Sequence, residues 1–375
     1  MATMLRKESL SALEDFKKVR AKHEKLKELF DRLEEVPLPS SQGKIFAVVG
    51  ATGAGKSTAV GHFFDSYNQR FLDDMIQNPG FIPTVLTTLP TGFKGEFDWK
   101  DALQRLLAMF FEPLIRKKIL PRMVVNLDGE KIENVHQLVT SALARAFKNG
   151  LLERETHFVG IDEASSIFAT KNDRSYKYQF EILKSIVNDW GLPLILSGAY
   201  DLLKIEDFNS QLIRRTKIIH FERYYPNELE SESNKYGQSF VNVTHTFFKS
   251  MKIPIHDDVC VNYPYLMKMS LGSIGLLKDW CMRALELAFI SKMEPIIDMG
   301  IMNKTALPIR QLIKIEKENQ WGEKLLSDES EEDLTNLLGL NKASDNYKND
   351  RMNGKNIKSR KPGRRNPSRD SVGDL

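Results

Sequence analysis

The sequence predicts an α/β fold: a three-layer αβα domain with a parallel sheet, followed by a small all-α domain. Up to about residue 225, short apolar segments that are partly β-branched alternate with segments of helical spacing. This alternation favours a parallel sheet covered by helices on both faces. After that point only helical patterns follow, at 240–251, 263–270 and 272–290.

Apolar runs bounded by turn residues are predicted to form the strands of the sheet. They lie at 45–49, 84–89, 158–161, 192–197 and 217–221. Helices are predicted at 98–120 with a kink at Pro113, at 133–148 with an end at Asn149-Gly150, and at 175–190. Ahead of the sheet, residues 9–35 are predicted to form a single charged helix. Because sustained heptads are lacking, packing on the sheet domain is favoured over the alternative of a coiled-coil seam.

The first strand leads into a glycine-rich stretch that reads G-x-x-x-x-G-K-[ST], the P-loop pattern. It consists of Gly50, Ala51, Thr52, Gly53, Ala54, Gly55, Lys56, Ser57 and Thr58. Glycines let backbone N–H groups turn towards phosphate oxygens, and the start of the next helix adds partial positive charge. Lys56 is expected to reach the β- and γ-phosphates, and the Ser57 hydroxyl to bind Mg²⁺.

The strand at 158–161 ends in two adjacent carboxylates, Asp162 and Glu163, which is the pattern of a Walker B motif with a catalytic glutamate. Asp162 is predicted to hold Mg²⁺, directly or through water, and Glu163 to polarise the attacking water. The structural alternative is that Asp162 only caps the following helix. The pairing with a P-loop favours ATP hydrolysis.

Two further polar positions complete the predicted site. Ser197 ends the strand at 192–197, where its side chain would contact the γ-phosphate or the water, although Ser197-Gly198 also suits an ordinary turn. Arg214 and Arg215 precede the last strand, where one of them could reach the γ-phosphate of a neighbouring subunit. A surface arginine pair is the alternative. Thr170-Lys171-Asn172-Asp173 looks like a guanine-reading motif but does not follow a late strand, so we expect ATP rather than GTP.

The order of these motifs resembles that of an AAA+ ATPase. Within that superfamily the sequence is similar to the transposition-regulator branch, the TniB/TnsC-like ATPases related to the phage Mu B protein. The resemblance rests on residues 49–58, 159–164, 194–199 and 211–215, on the late helix at 272–277 that runs on to Ala284 and Ala288, and on Phe16 and residues 23–26 of the leading helix.

The resemblance implies an ATPase that uses ATP and Mg²⁺ and that forms a ring or helical filament on double-stranded DNA. Such a protein links a target-selection protein to a transposase, and ATP hydrolysis controls its disassembly. By position, Ser197 would sense the γ-phosphate and Arg214 or Arg215 would be the arginine finger. DNA contacts would come from the segment after the second strand, which contains Lys94, Lys100, Arg116, Lys117 and Lys118.

One position departs from that pattern. Many AAA+ relatives have a sensor 2 arginine early in the late helix, but here that turn reads Gly272-Ser273-Ile274-Gly275, and the nearest basic residue is Lys278. Two other functions stay open: a helicase loader or initiator, which would favour single strands or replication proteins, and a nucleotide-gated signalling or defence switch.

The motifs and the composition divide the chain into an N-terminal helical extension (1–36), an AAA+ P-loop ATPase core (37–225), a helical lid domain (226–325) and an acidic-then-basic tail (326–375). The tail has few large apolar residues, so we expect it to be disordered. Only two cysteines occur, without disulfide or metal-ligand spacing. No apolar run approaches the ~20 residues of a membrane span. We therefore expect a cytoplasmic protein with no membrane partner.

Overall fold

The computed structural model describes residues 7–89, 97–111, 135–168, 173–206, 210–231, 233–291, 294–327 and 331–338. Its sheet has five strands, all parallel, in the order β2-β3-β4-β1-β5. The strands are β1 (Ile45–Gly50), β2 (Thr84–Thr88), β3 (Phe158–Asp162), β4 (Leu194–Gly198) and β5 (Thr216–Phe221). The predicted strands are confirmed, with ends that differ by one or two residues.

Helices cover the sheet and then form a separate bundle. Those up to β5 are α1 (Lys7–Lys18), α2 (Glu24–Leu33), α3 (Lys56–Gln69), α4 (Leu72–Gln77), α5 (Trp99–Ala108), α6 (Val135–Glu153), α7 (Asp173–Trp190) and α8 (Ser210–Ile213). Those after β5 are α9 (Lys235–Ser250), α10 (Asp257–Cys260), α11 (Tyr263–Ser270), α12 (Ile274–Ser291), α13 (Met299–Thr305) and α14 (Ile309–Leu325). The predicted α/β domain followed by an all-α domain is confirmed.

The sheet order places the predicted site residues on neighbouring strands. In the register, Val48 of β1 lies beside Ser197 of β4, and Ile161 of β3 lies beside Leu196 of β4. Strand β4 therefore separates the P-loop strand from the strand that ends in Asp162. Because all strands are parallel, their carboxyl ends meet at one edge of the sheet, where loops of such folds bind ligands.

The N-terminal extension is two helices and not the single helix that its spacing predicts. The chain leaves helical conformation between Lys18 and Glu24, and His23 caps the start of α2 through its side chain. The two helices join different hydrophobic cores. Phe16 of α1 is buried with the all-α domain, whereas Leu29 of α2 is buried with the sheet domain.

Helix α6 continues to Glu153, so the predicted helix end at Asn149-Gly150 is wrong. Gly150 instead provides room for packing, because a Cβ built there would lie 2.8 Å from the ring of Phe110. The glycine allows α6 to approach α5 and the residues that follow it.

Helix α14 returns from the all-α domain to the sheet domain. Gly322 lies flat on the ring of Tyr200, since a Cβ there would be 2.0 Å from a ring carbon. Next to this contact, the buried guanidinium of Arg223 donates hydrogen bonds to Glu316 and Glu323 of α14, at distances from 2.5 to 3.1 Å. These two carboxylates raise the pKa of Arg223, although its burial opposes them. The interactions place α14 next to the P-loop.

Residues 327–375 form a second unit, of which the structure describes one short helix, α15 (Glu331–Leu337). The rest of the predicted tail, from residue 339, lies outside the described residues. Within the described ranges, every helix is too short or too polar to cross a membrane.

Candidate functional site

The P-loop has the backbone conformation that its glycines permit. Gly53 and Gly55 have φ angles of +77° and +99°, which favour glycine over other residues. Helix α3 begins at Lys56, with Gly55 as its N-cap. The side chains of Ser57 and Thr58 are exposed at this helix start. The loop thus forms a concave surface at a helix N-terminus, a conformation suited to phosphate.

Lys56 folds back onto its own loop. Its ammonium donates hydrogen bonds to the carbonyl oxygens of Gly50 and Ala51, at 2.9 and 2.8 Å. Burial lowers the pKa of Lys56 to about 8, and the carboxylates of Glu163, Asp162 and Glu318 oppose this shift. Phosphate oxygens would favour the charged form of Lys56 more strongly than neutral carbonyls do.

Asp162 and Ser197 form a buried hydrogen-bonded pair between neighbouring strands. The Ser197 hydroxyl donates to Oδ1 of Asp162, and Ser197 is completely inaccessible to solvent. This bond orients the carboxylate at the carboxyl edge of the sheet. Ser197 therefore helps to position the Asp162 carboxylate. The sequence alone did not suggest this role.

Glu163 lies next to this pair and is exposed. Its φ of +55° puts it in the left-handed region, which is uncommon for a residue other than glycine. The turn is stabilised by a hydrogen bond from the Ser166 N–H to the Glu163 carbonyl. Strained backbone of this kind is often found at functional positions. The Glu163 side chain is therefore directed away from the core and is accessible to water.

These residues fit ATP with Mg²⁺. The exposed Ser57 hydroxyl and the Asp162 carboxylate are oxygen ligands of the type that Mg²⁺ prefers, and Mg²⁺ commonly completes its shell with phosphate oxygens and water. No cluster of three His, Cys, Asp or Glu side chains suited to a metal occurs in the described part of the chain. When bound, the ion would neutralise charge on the phosphates.

The all-α domain contacts the P-loop directly. A Cβ built on Gly275, in the first turn of α12, would lie 2.0 Å from the carbonyl oxygen of Gly53. Ser273 is buried beside the same loop, and among the described residues its hydroxyl has no hydrogen-bond partner. The nearest basic residue, Lys278, is turned elsewhere, because it donates to the carbonyls of Lys17 and Val19, both at 2.8 Å. The first turn of α12 therefore meets the loop through the backbone of Gly275 and the side chains of Ser273 and Leu276, and not through an arginine.

An additional carboxylate approaches the P-loop from α14. Oε1 of Glu318 lies 3.4 Å from the Thr52 hydroxyl. Burial lowers the pKa of Lys56, and the charge of Glu318 is among those that oppose this shift. Sequence motifs could not indicate this residue, because Glu318 lies 266 positions from Thr52 in a helix without a distinctive pattern.

A cavity of about 540 Å³ opens beside the P-loop. The start of α3 forms one wall, with Gly55, Ser57 and Thr58. The 19–26 segment and the first turn of α12 form the other walls. The cavity adjoins the P-loop, and apolar residues such as Leu26, Phe221 and Ile274 form part of its walls, which are features typical of small-molecule sites.

Arg214 and Arg215 lie far along the sheet from this site. Both are exposed and precede the first residue of β5, so they are at the amino edge of the sheet, opposite the P-loop. The Arg215 carbonyl accepts a hydrogen bond from Ile45 at the start of β1, and its side chain bonds to Asn188. Neither arginine can serve the P-loop of its own chain.

The predicted DNA-contacting residues are mostly outside the described ranges, which exclude Lys94, Arg116, Lys117 and Lys118. Lys100 is described, in the first turn of α5. It is half-buried, and its N–H bonds to the capping Asp98 side chain.

Residues 40–206 match a protein-family model described as an AAA domain. Among solved structures, the chain is similar to Drosophila ORC bound to DNA, with 14% identity, a TM-score of 0.44, and coverage of 81% of this chain and 68% of that chain. It is also similar to a Walker-type ATPase of Pyrococcus abyssi, with 16% identity, a TM-score of 0.46 and coverage of 82% and 78%. The chain is similar as well to the Aeropyrum pernix ORC2 protein in ADPNP-ADP complexes, with 12% identity, a TM-score of 0.44, and coverage of 80% of this chain and 73% of that chain.

None of the curated proteins matches this chain. The family match covers the P-loop, the Asp162-Glu163 pair and Ser197. It agrees with the AAA+ type of P-loop domain that the sequence predicts, and it supports nucleotide binding and hydrolysis with a divalent metal.

Proposed function

We propose that this AAA+ P-loop protein is an ATP-dependent regulator of DNA transposition. It would assemble on duplex DNA as a ring or helical filament and link a target-selection protein to a transposase. ATP hydrolysis would control its disassembly. The transposition branch is supported by the motif resemblance described above, and the ATPase by the site.

One observation carries the proposal. Lys56, Asp162 and Glu163 lie together at the carboxyl edge of the sheet, whereas Arg214 and Arg215 lie at the opposite edge. Within the described ranges, the site of one chain therefore has groups suited to bind ATP and to polarise water, but neither Arg214 nor Arg215 to stabilise charge on the γ-phosphate. A neighbouring copy that turns its amino edge towards this site would supply that arginine.

Within one chain, the residues have separate roles in this proposal. Lys56 would leave the carbonyls of its loop to bind phosphate oxygens, and the P-loop N–H groups would surround them. Ser197 would hold the Asp162 carboxylate in place. Glu163 would accept a proton from, or polarise, the attacking water.

Mixing two inactive variants tests the shared site. Lys56→Ala removes ATP binding but keeps both arginines, and the Arg214→Ala/Arg215→Ala double variant keeps ATP binding but lacks the finger. We expect each to hydrolyse ATP at most at a few per cent of the wild-type rate, because an arginine finger contributes 10³–10⁵ in rate. A mixture should regain activity at interfaces that combine an intact P-loop with intact arginines. A mixture as inactive as its components would contradict the shared site.

Assembly on DNA is tested by sizing and negative-stain microscopy with ATP and a duplex. We expect rings or filaments with ATP and duplex together, and none for Lys56→Ala. A protein that stays monomeric would exclude the regulator. Preference for single strands in competition binding would favour the helicase loader or initiator, and tight nucleotide retention without DNA stimulation would favour a signalling switch.

The DNA contacts proposed for Lys94, Lys100, Arg116, Lys117 and Lys118 predict affinity that falls steeply with salt and depends little on sequence. Replacing Arg116, Lys117 and Lys118 by alanine should weaken binding to all duplexes alike and reduce the salt dependence. Unchanged affinity and salt dependence would place the DNA contacts elsewhere.

A further inference from the structure

The cavity beside the P-loop contains a histidine whose orientation is fixed by the protein. Nδ1 of His23 accepts a hydrogen bond from the Leu26 N–H at 3.2 Å, which caps helix α2. The Tyr224 hydroxyl lies 3.1 Å from the same nitrogen. The ring is also stacked on Phe221, with 6.1 Å between centroids and 28° between planes. His23 therefore has little freedom to rotate.

These contacts also determine where the proton of the ring resides. A nitrogen that accepts from a backbone N–H is unprotonated, so the neutral ring has its proton on Nε2. Burial, assisted by the charge of Lys25, lowers the pKa of His23 to about 4, so the ring is neutral near pH 7. The Nε2–H group is a donor on the ring edge opposite the cap, and no partner for it lies within the described ranges.

Other basic side chains at the cavity are already used by the protein. Arg20 donates to the carbonyls of Lys17 and Val19, and Lys278 donates to the same two carbonyls. The second cavity histidine, His62, is exposed and lies 3.5 Å from the Ser66 hydroxyl. His23 is thus the fixed, neutral donor at this cavity.

We infer that His23 recognises the base of the bound nucleotide, by donating its Nε2–H to a ring nitrogen of a purine. The inference rests on the proposed ATP site, because it requires phosphates in the P-loop. The walls next to His23 are apolar, with Leu26, Phe221 and Ile274 among them, which suits a flat aromatic ring. A donor among apolar walls contributes to affinity only when it meets an acceptor, so it selects between bases.

A single substitution separates this role from helix capping. His23→Asn keeps a side-chain oxygen that can accept from the Leu26 N–H, since asparagine is among the best N-cap residues, but it removes the distal ring edge. His62→Asn is the matched control, because it makes the same replacement at an exposed histidine of the same cavity. Circular dichroism and thermal unfolding would compare the folding of both variants with wild type.

Affinity is measured by calorimetry with Mg²⁺ and two probes, ATP and inorganic tripolyphosphate, which lacks a base. We expect His23→Asn to weaken ATP binding about tenfold and to leave tripolyphosphate binding unchanged. His62→Asn should change neither. Unchanged ATP affinity in His23→Asn, or equal losses for ATP and tripolyphosphate, would overturn the inference. Wild-type protein that binds neither probe, or Lys56→Ala that binds both normally, would instead overturn the proposed ATP site, and the inference with it.

Discussion

The carbonyl oxygen of Gly53 lies against the α-carbon of Gly275, so the P-loop and the lid are in direct backbone contact. The turn at Gly272-Ser273-Ile274-Gly275 lacks the sensor 2 arginine that many AAA+ relatives have there. The structure shows a different physical connection, since a change in the P-loop conformation at Gly53 would displace the first turn of α12. This contact has room for no side chain at Gly275.

Gly275→Ala should therefore destabilise the protein by about 1–3 kcal/mol, because its Cβ would overlap a backbone atom that cannot move alone. Helix propensity alone would favour alanine over glycine by up to about 1 kcal/mol. Gly61→Ala is the matched control, as Gly61 lies in α3 with nothing within 4 Å of the added Cβ. It should be neutral or stabilising. Urea unfolding of both variants checks the difference, and equal effects would mean that the lid does not press on the loop.

Glu163→Gln should keep ATP affinity within about twofold and lower the hydrolysis rate by about 10²–10⁴. The reason is that glutamine is similar in shape but cannot accept a proton. Phosphate release and equilibrium ATP binding measure the two effects separately. Turnover at the wild-type rate would remove Glu163 from this role, whereas a loss of binding would show that the left-handed turn at this position had been disturbed.

Glu318→Gln should strengthen ATP binding a few-fold, because it removes a negative charge close to the Thr52 hydroxyl and Lys56. The effect is modest since Glu318 is exposed and its charge is screened by solvent and salt. Adenosine, which has no phosphate, is the control ligand and should bind both proteins equally. Weaker ATP binding in the variant would show that Glu318 supports the bound nucleotide and does not oppose it.

Stability should fall as the pH drops from about 6.5 towards 4. His23 has a folded-state pKa of about 4 against 6.5 for the ordinary group, so within this window the unfolded chain binds a proton that the folded chain excludes. Above pH 6.5, His23 is neutral in both the folded and the unfolded chain, so it no longer contributes to the pH dependence of stability. The shift corresponds to about 3 kcal/mol. Burial lowers the pKa values of His157 and His220 as well, in the same direction.

Urea unfolding between pH 7.5 and 5.5 measures how the free energy of unfolding changes with pH. Most carboxylates titrate below this range, so they contribute little to the slope. In His23→Asn the slope should be smaller. An equal slope in wild type and variant would assign the pH dependence to other groups.

Local pattern was sufficient to predict the strands and the P-loop, because burial and glycine conformation are properties of neighbouring residues. Each end of every strand lies within two residues of the predicted position. The break at 19–23 was not predictable, because the periodicity of 9–35 continues across it, and only packing on two different cores separates Phe16 from Leu29.

The part of the site that sequence reasoning missed comes from long-range contacts. Glu318 and Arg223 belong to segments without motifs, and their roles arise because α14 folds back onto Tyr200. His23 was noted only as part of a resemblance. Its bond to the Leu26 N–H is local, and a histidine just before an amphipathic helix was a usable signal for that cap.

The path of the N-terminal segment limits how far the lid can open. Helix α1 is part of the lid core and α2 is part of the sheet core, and only residues 19–23 join them. Fully extended, the six Cα–Cα steps from Lys18 to Glu24 span at most about 21 Å. Moving these two helix ends further apart would have to pull Phe16 or Leu29 out of its core. The segment therefore forms a wall of the cavity and also limits the separation of the two domains. If the cavity takes up the proposed nucleotide, the nucleotide would have to enter and leave within that limit.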